Sequence, residues 1–356
     1  MLLVLTLFCT GSYTPACAQK GSPATLPKDP AELFSLALAR NGLSSSDVKP
    51  WHIRGHYVLY LDDKPNDQGV YEEWWAGPNR YKRSYTSKST GISQTDYAVG
   101  SKLLREGHQG WLFEGLAMRS ALVAPVPAIL PGDFVPRKRR LSLRKVKVSC
   151  VSLSYSDQDG GGVSTSWFPT YCIDSTTPAL RVSVAGGDDV TTYNQIIEFQ
   201  NHYLAREIHR TMGEKRVFDL WLDTVETIAQ VPANFPDPPR DASAVDLTAI
   251  PTVERGKEFY GYPELLRMIS PNFPAGGFAL NGGVEAELAI AVGPDGHVNK
   301  ITIESGPTQI DNVVREAASQ WVYQPLRVLG EDRPFETTFR IMWAPRATAA
   351  RLPGIP

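Results

Sequence analysis

The sequence predicts an α+β protein: a curved antiparallel β-sheet with covering helices over residues 30–230, then a small β-β-α-β domain over residues 259–345. Three observations lead there. Charged residues are only 21% of the chain, while Gly 29, Pro 28, Tyr 14, Trp 8 and Phe 13 favour turns and aromatic-rich strands over long charged helices. Period-two runs separated by short turns fill the first two hundred residues, the pattern of an antiparallel meander. A proline-bearing stretch, residues 231–258, divides them from a second strand-rich segment that holds one helical stripe.

A length of 356 residues suits two or three domains, and 42% hydrophobic residues suffice for real cores. The formal charge is -2, so no general basic field exists to collect nucleic acid, and no nucleic-acid partner is expected.

In chain order, the apolar run Met1–Phe8 is too short to span a bilayer and is followed by Ala16-Cys17-Ala18, a small-residue cleavage pattern. Residues 1–18 therefore read as a secretory signal, which implies a soluble periplasmic protein after cleavage. Lipid anchoring at Cys17, a membrane anchor upstream and a short buried segment are the alternatives. Residues 19–29 read as a disordered lead. Pro30–Arg40 has a helical apolar pattern, an acid in its first turn and Asn41-Gly42 as its stop.

Strands are expected at Trp51–Tyr60, Gly69–Trp75, Tyr81–Ser87, Gly91–Ala98 and Trp111–Glu114. Leu116–Pro136 is apolar but broken by Pro125, Pro127 and Pro131, so it is helical only in short pieces and suits a cover over the sheet. Further strands are expected at Leu141–Leu153, Ser164–Phe168, Leu180–Val184, Ile196–Arg210 with a break at Gln200-Asn201, and Arg216–Thr227. A sheet of this size must cover its apolar side, hence the helices against one face. This element order resembles that of the LolA/LolB-like periplasmic lipoprotein carriers. The resemblance implies a half-barrel that holds acyl chains under a helical lid.

Beyond residue 258, Glu264–Ile269 reads as a short helix, Gly283–Val292 and His297–Glu304 as a hairpin around Gly293-Pro294-Asp295-Gly296, Ile310–Val322 as a helix and Pro334–Trp343 as the closing strand. Residues 346–356 read as a flexible tail. Phe273-Pro274, Gly283-Val284, the Gly-Pro-Asp-Gly turn, Ala317-Ala318 and Trp321-Val322-Tyr323-Gln324-Pro325 resemble, in order, the TonB C-terminal domain family. That resemblance implies a protein-binding module that takes up a partner by strand addition. The last strand, with Phe335, Thr337, Phe339 and Ile341, is the candidate partner or dimer strand; the alternative is that the module only packs on the first domain. The partner implied is an envelope or outer-membrane protein, with a homodimer as a further possibility. The membrane anchor with a key His and the long Pro/Lys/Glu linker that a transducer needs are not visible, so, unless the N-terminus is truncated, energy coupling is not inferred.

Catalytic patterns are absent from the sequence. GxSxG, GxxxxGK[ST] and GxGxxG do not occur. His52 and His56, four apart on a strand, lie about 13 Å apart on one face, too far to share a metal. Glu72/Glu73 and Asp62/Asp63 are adjacent rather than opposed across a cleft. No cofactor or metal is expected, and the chain reads as a non-enzymatic binding protein. An envelope scaffold is the alternative, and an unrecognised hydrolase a third.

Three residue groups remain as site candidates. Trp51, Tyr57, Trp74, Trp75, Tyr81 and Trp111 either line an apolar cavity for a lipid or other apolar ligand or fill a core. Arg137, Lys138, Arg139, Arg140, Arg144, Lys145 and Lys147 crowd eleven residues, either as a solvated strand or as a contact for acidic headgroups or an acidic partner. Cys150 and Cys172, the cysteines left after signal cleavage, allow one disulfide, worth roughly 3 kcal/mol for such a loop; buried free thiols are the other reading.

Overall fold

The computed structural model describes residues 26–130, 132–139, 146–155, 168–185, 189–253, 262–272 and 284–343. The leader, Phe273-Pro274, most of the strand expected at Ser164–Phe168 and the tail lie outside them.

Helix α1 (Pro30–Arg40) starts where the sequence places it. Asp29 caps it by accepting from the Ala31 and Glu32 amides at 2.9 and 3.0 Å, and proline occupies the first position, where no amide is needed. Then come β1 (Trp51–Leu61), β2 (Lys64–Trp75), β3 (Arg80–Ser87), β4 (Ser93–Val99), β5 (Lys102–Gly107), helix α2 (Phe113–Val123), β6 (Val135–Arg139), β7 (Val148–Ser154), β8 (Thr170–Asp174), β9 (Leu180–Val184), β10 (Asp189–Phe199), β11 (His202–Met212), β12 (Lys215–Thr227) and the two-residue β13 (Ser243–Ala244). They form one antiparallel 13-stranded sheet in the order β13-β5-β4-β3-β2-β1-β12-β11-β10-β9-β8-β7-β6. Gln200 and Asn201, with φ of 51° and 65°, make the tight turn that splits the long apolar run into β10 and β11.

The half-barrel is corrected by this topology. The sheet is neither curled nor closed into a half-barrel: its edges, β13 and β6, do not pair with each other. The physical reason lies on its apolar face. One continuous core joins Trp51, Ile53, Tyr57 and Phe218 of the sheet to Phe34 of α1, Phe113 and Met118 of α2, and Leu266, Trp321 and Val328 of the C-terminal segment. The face is covered by other parts of the chain, so the sheet need not wrap on itself to hide it.

Two local expectations also change. The strand expected at Trp111–Glu114 is the start of α2, and the connector after residue 230 is pinned to the sheet's margin. Arg80 donates to the carbonyls of Pro232 and Phe235 at 2.8 and 3.2 Å, and β13 pairs with β5.

The C-terminal segment contains β14 (Leu265–Arg267), β15 (Val284–Val292), β16 (Val298–Ser305), helix α3 (Asp311–Ala318), β17 (Val322–Tyr323), β18 (Leu326–Val328), β19 (Glu331–Arg333) and β20 (Phe335–Trp343). The hairpin, helix and closing strand follow the expected β-β-α-β order, with β16-β15-β20 as the main sheet. The helix expected at Glu264–Ile269 is instead β14, paired with β17. Gly296, at φ 84°, makes the hairpin turn, where an added Cβ would stand 2.1 Å from the Tyr323 carbonyl oxygen.

Candidate functional site

The alternation of the strands sorts the aromatic candidates by face. Trp51, Tyr57 and Tyr81 are buried in the core, and Trp75 stacks on Trp51 with ring centroids 5.7 Å apart. Trp111 is half-buried, with the Arg105 guanidinium 5.1 Å from its ring centre. Trp74 points to the opposite face, stacked on His52 at 3.7 Å. Two spaces under α2, one bordered by Trp111 and Leu116, the other by Ser120 and Tyr193, each hold about 20 Å³. Such a volume takes a water molecule and not an acyl chain.

Glu72 and Glu73 part company for the same reason. Glu72 faces outward and meets His52 Nε2 at 2.8 Å; Glu73, wholly buried, faces α2 and accepts a bidentate pair from Arg119 and the hydroxyl proton of Tyr71. Beside it Asp96 binds Arg105 Nε at 2.6 Å and Arg83 Nη2 at 2.9 Å. Burial raises the Asp96 pKa, but the two guanidiniums outweigh it and hold the carboxyl below its ordinary range. These ion pairs fasten α2 and the β2–β5 side of the sheet.

A second buried polar group lies where the C-terminal segment meets the sheet. Arg210 of β11 binds Asp189 of β10, with Nε donating at 2.9 Å and Nη2 to the second oxygen. Tyr193 and Ser183 share a hydrogen bond at 3.2 Å. Facing them, Glu264 lines the same space but makes no hydrogen bond or ion pair among the described residues. Burial pushes its carboxyl up to about 7 against the pull of Arg210, and the Asp189 charge adds to the rise. Gln324 holds this strand end: its amide donates to the Glu264 carbonyl at 2.7 Å while its side chain donates to Ser120 Oγ of α2 at 3.2 Å.

The outer face of the sheet carries three histidines, each against a carboxylate. His52 meets Glu226 at 2.7 Å as well as Glu72, His56 meets Asp223 at 3.0 Å, and His209 lies between Asp219 and Glu207 at 2.7 and 2.9 Å. No His, Cys, Asp and Glu group arranged to hold a metal occurs among the described residues.

Of the basic run, Arg137, Lys138 and Lys147 are exposed and Arg139 donates to Thr170 at 2.9 Å; Arg140, Arg144 and Lys145 lie outside the described residues. Cys150 and Cys172, directly opposite on β7 and β8, form a disulfide buried with Val182. On β20, Phe335, Thr337, Phe339 and Ile341 all turn inward; Phe339 packs edge-on against Trp321 at 4.6 Å. Glu336 instead faces the open side: its backbone carbonyl accepts from Val253 and its amide donates to Pro251, both at 2.8 Å. The same parity turns the backbone groups of Arg340 and Met342 to that side, where they have no partner among the described residues, and the Met342 side chain is 77% exposed.

No family model matches the chain, and no curated protein matches it. Solved structures show a partial likeness. A LolA superfamily protein from Nitrosomonas europaea is 11% identical, with a TM-score of 0.37 over 57% of this chain and 94% of the other. A lipoprotein-sorting protein domain from Vibrio parahaemolyticus is 9% identical, with a TM-score of 0.36 over 57% and 94%. A DUF1329 family protein from Desulfovibrio piger is 7% identical, with a TM-score of 0.39 over 58% and 97%. At these scores the likeness is a low-identity one to part of the chain and assigns neither a family nor a cargo. No helix among the described residues is long and apolar enough to cross a membrane.

Proposed function

We propose that this chain is an exported, periplasmic binding protein without catalytic activity, which engages a protein partner by strand addition at the Arg340–Met342 end of β20. The observation that carries the reading is the parity of that strand. Glu336 already binds a second chain segment through its outward backbone groups, and Arg340 and Met342 offer the same groups beside an exposed methionine. The first domain serves as the support: its inner face packs against its own helices and the C-terminal segment, and the two spaces under α2, each of about 20 Å³, speak against an acyl cargo there.

In-cell photocrosslinking from position 342 tests the reading, with Arg340→Pro as the control. That proline removes an amide facing the open side and leaves the ladder to β15 intact. The expected result is one discrete adduct at 342 that Arg340→Pro abolishes. No adduct, or one that survives the proline, overturns strand addition. A lipid of defined mass released in native mass spectrometry would replace it by carriage.

A further inference from the structure

We propose that Glu264 is a pH-sensitive latch between the two parts of the chain: when protonated it seats the C-terminal segment on the sheet, and when ionised it loosens that seat.

The geometry places one carboxyl at the centre of the contact. Glu264 stands at the entry to β14, held through its carbonyl by Gln324, which reaches on to Ser120 of α2. Half-buried Glu264 borders a space of about 20 Å³ lined by residues of α2, β9, β10 and β11 and of the turns that follow α2 and β9. Among the described residues the titratable and charged groups around it are few. β11 contributes Arg210, β10 contributes Asp189 and Tyr193, and Tyr171 of β8 feels the same charge; the flanking α2 and β9 positions, Ser120, Ala121, Ala124, Ser183 and Ala185, carry none. Arg210 is already bound bidentately by Asp189, so the one cation of the group among the described residues is largely neutralised for a second carboxylate. Burial then costs an ionised Glu264 more than the remaining pull of Arg210 returns, and Asp189 adds to that cost, whereas a protonated one is neutral and can donate a hydrogen bond.

The sign follows from proton binding. The carboxyl is raised in the seated state relative to a solvated one, from 4.5 to about 7. The seated state then binds more protons, so seating is strongest in acid and weakens as pH rises between those values. From pH 6 to pH 8 the seated-to-open ratio falls by about tenfold, and little more is lost above pH 8.

Hydrogen exchange by mass spectrometry on the full mature chain at pH 6 and pH 8, corrected for the intrinsic rate, reads this opening. Protection of peptides covering residues 120–125, 189–193 and 262–268 should drop by about tenfold at pH 8, with β1 to β4 unchanged. Glu264→Gln should keep the junction protected at both values. Asp189→Asn, which removes the negative neighbour but keeps a partner for Arg210, should move the midpoint to lower pH. Equal wild-type protection at both values, a Gln variant with the wild-type pH dependence, or an unmoved midpoint in Asp189→Asn would each overturn the latch.

Discussion

Arg119 of α2 grips Glu73 of β2 with both Nε and Nη2, at 3.0 and 3.1 Å, although Glu73 is wholly buried and the two lie 46 positions apart. The pair joins a helix to the middle of the sheet through charge rather than through apolar packing alone. Removing one partner leaves the other charge stranded, whereas replacing both can be nearly neutral.

Arg119→Ala should therefore cost about 3–5 kcal/mol in unfolding free energy, measured by urea denaturation at pH 7. Glu73→Leu combined with Arg119→Met, made in a Tyr71→Phe background that removes the hydroxyl Glu73 otherwise accepts, should recover most of it. A double variant as unstable as the single one would show that the pair itself, and not the uncompensated charge, supports α2.

Asp96 sets an acid limb. Its carboxyl is held low by Arg83 and Arg105 despite burial, so it contributes stability above the unfolded value near 3.8 that is lost as pH falls through its lower folded value. Wild-type unfolding free energy should fall below about pH 4. Asp96→Asn should be less stable at pH 7 and show a shallower decline in acid. An unchanged slope in the variant would remove Asp96 from the acid response.

Which parts of this arrangement were readable in the sequence depends on whether the deciding contact is local. Strands β1 to β4, the β10–β11–β12 hairpins and α1 declare themselves through period, turn and cap residues, and so do β15, β16, α3 and β20. Helix α2 does not. Phe113, Glu114, Gly115, Ala117, Met118, Ala121, Leu122 and Val123 are all buried, so no polar face marks the helical period, and its first residues read as a strand. Strand β14 is three residues long, too short for its period to be told from a helix. The sheet's failure to curl depends on which distant segments cover it. Glu72 and Glu73 did carry a signal: neighbours on a strand point to opposite faces, and Glu73 fell on the face of Trp51 and Tyr71. Glu264 carried none, because Arg210 and Asp189 approach it only through the docking of the C-terminal segment.

The Cys150–Cys172 disulfide spans a sequence separation of 22 and lies on the sheet face away from the main core, in a small cluster with Val182. Cys150→Ala with Cys172→Val keeps that cluster apolar and removes only the cross-link. Unfolding free energy should fall by about 3 kcal/mol, chiefly through the freed unfolded chain, with the near-ultraviolet spectrum of the folded state retained. A loss below about 1 kcal/mol would mean that the unfolded chain is already compact around these strands.

Asn41 closes α1 and ties it to the sheet with one buried amide. Its Nδ2 donates to the carbonyls of Ala37 at 2.8 Å and Pro178 at 2.7 Å, and its Oδ1 accepts from the Leu180 amide at 2.7 Å. The next residue, Gly42, has a φ of 82° and no space for a Cβ, which would stand 2.2 Å from the Val123 carbonyl oxygen. The chain cannot shift there to find other partners. Asn41→Leu strands the Pro178 carbonyl and the Leu180 amide, while Ala37 keeps the Asn41 backbone amide at 3.1 Å, and should cost about 2–4 kcal/mol. Asn41→Asp keeps the acceptor but turns a charged oxygen on both carbonyls, so it should be the worse of the two at pH 7 and recover partly near pH 4, where the carboxyl regains a proton. Thermal unfolding of both variants at the two pH values measures this, and an Asp variant at least as stable as the Leu variant at pH 7 would show that Nδ2 does not hold the helix end.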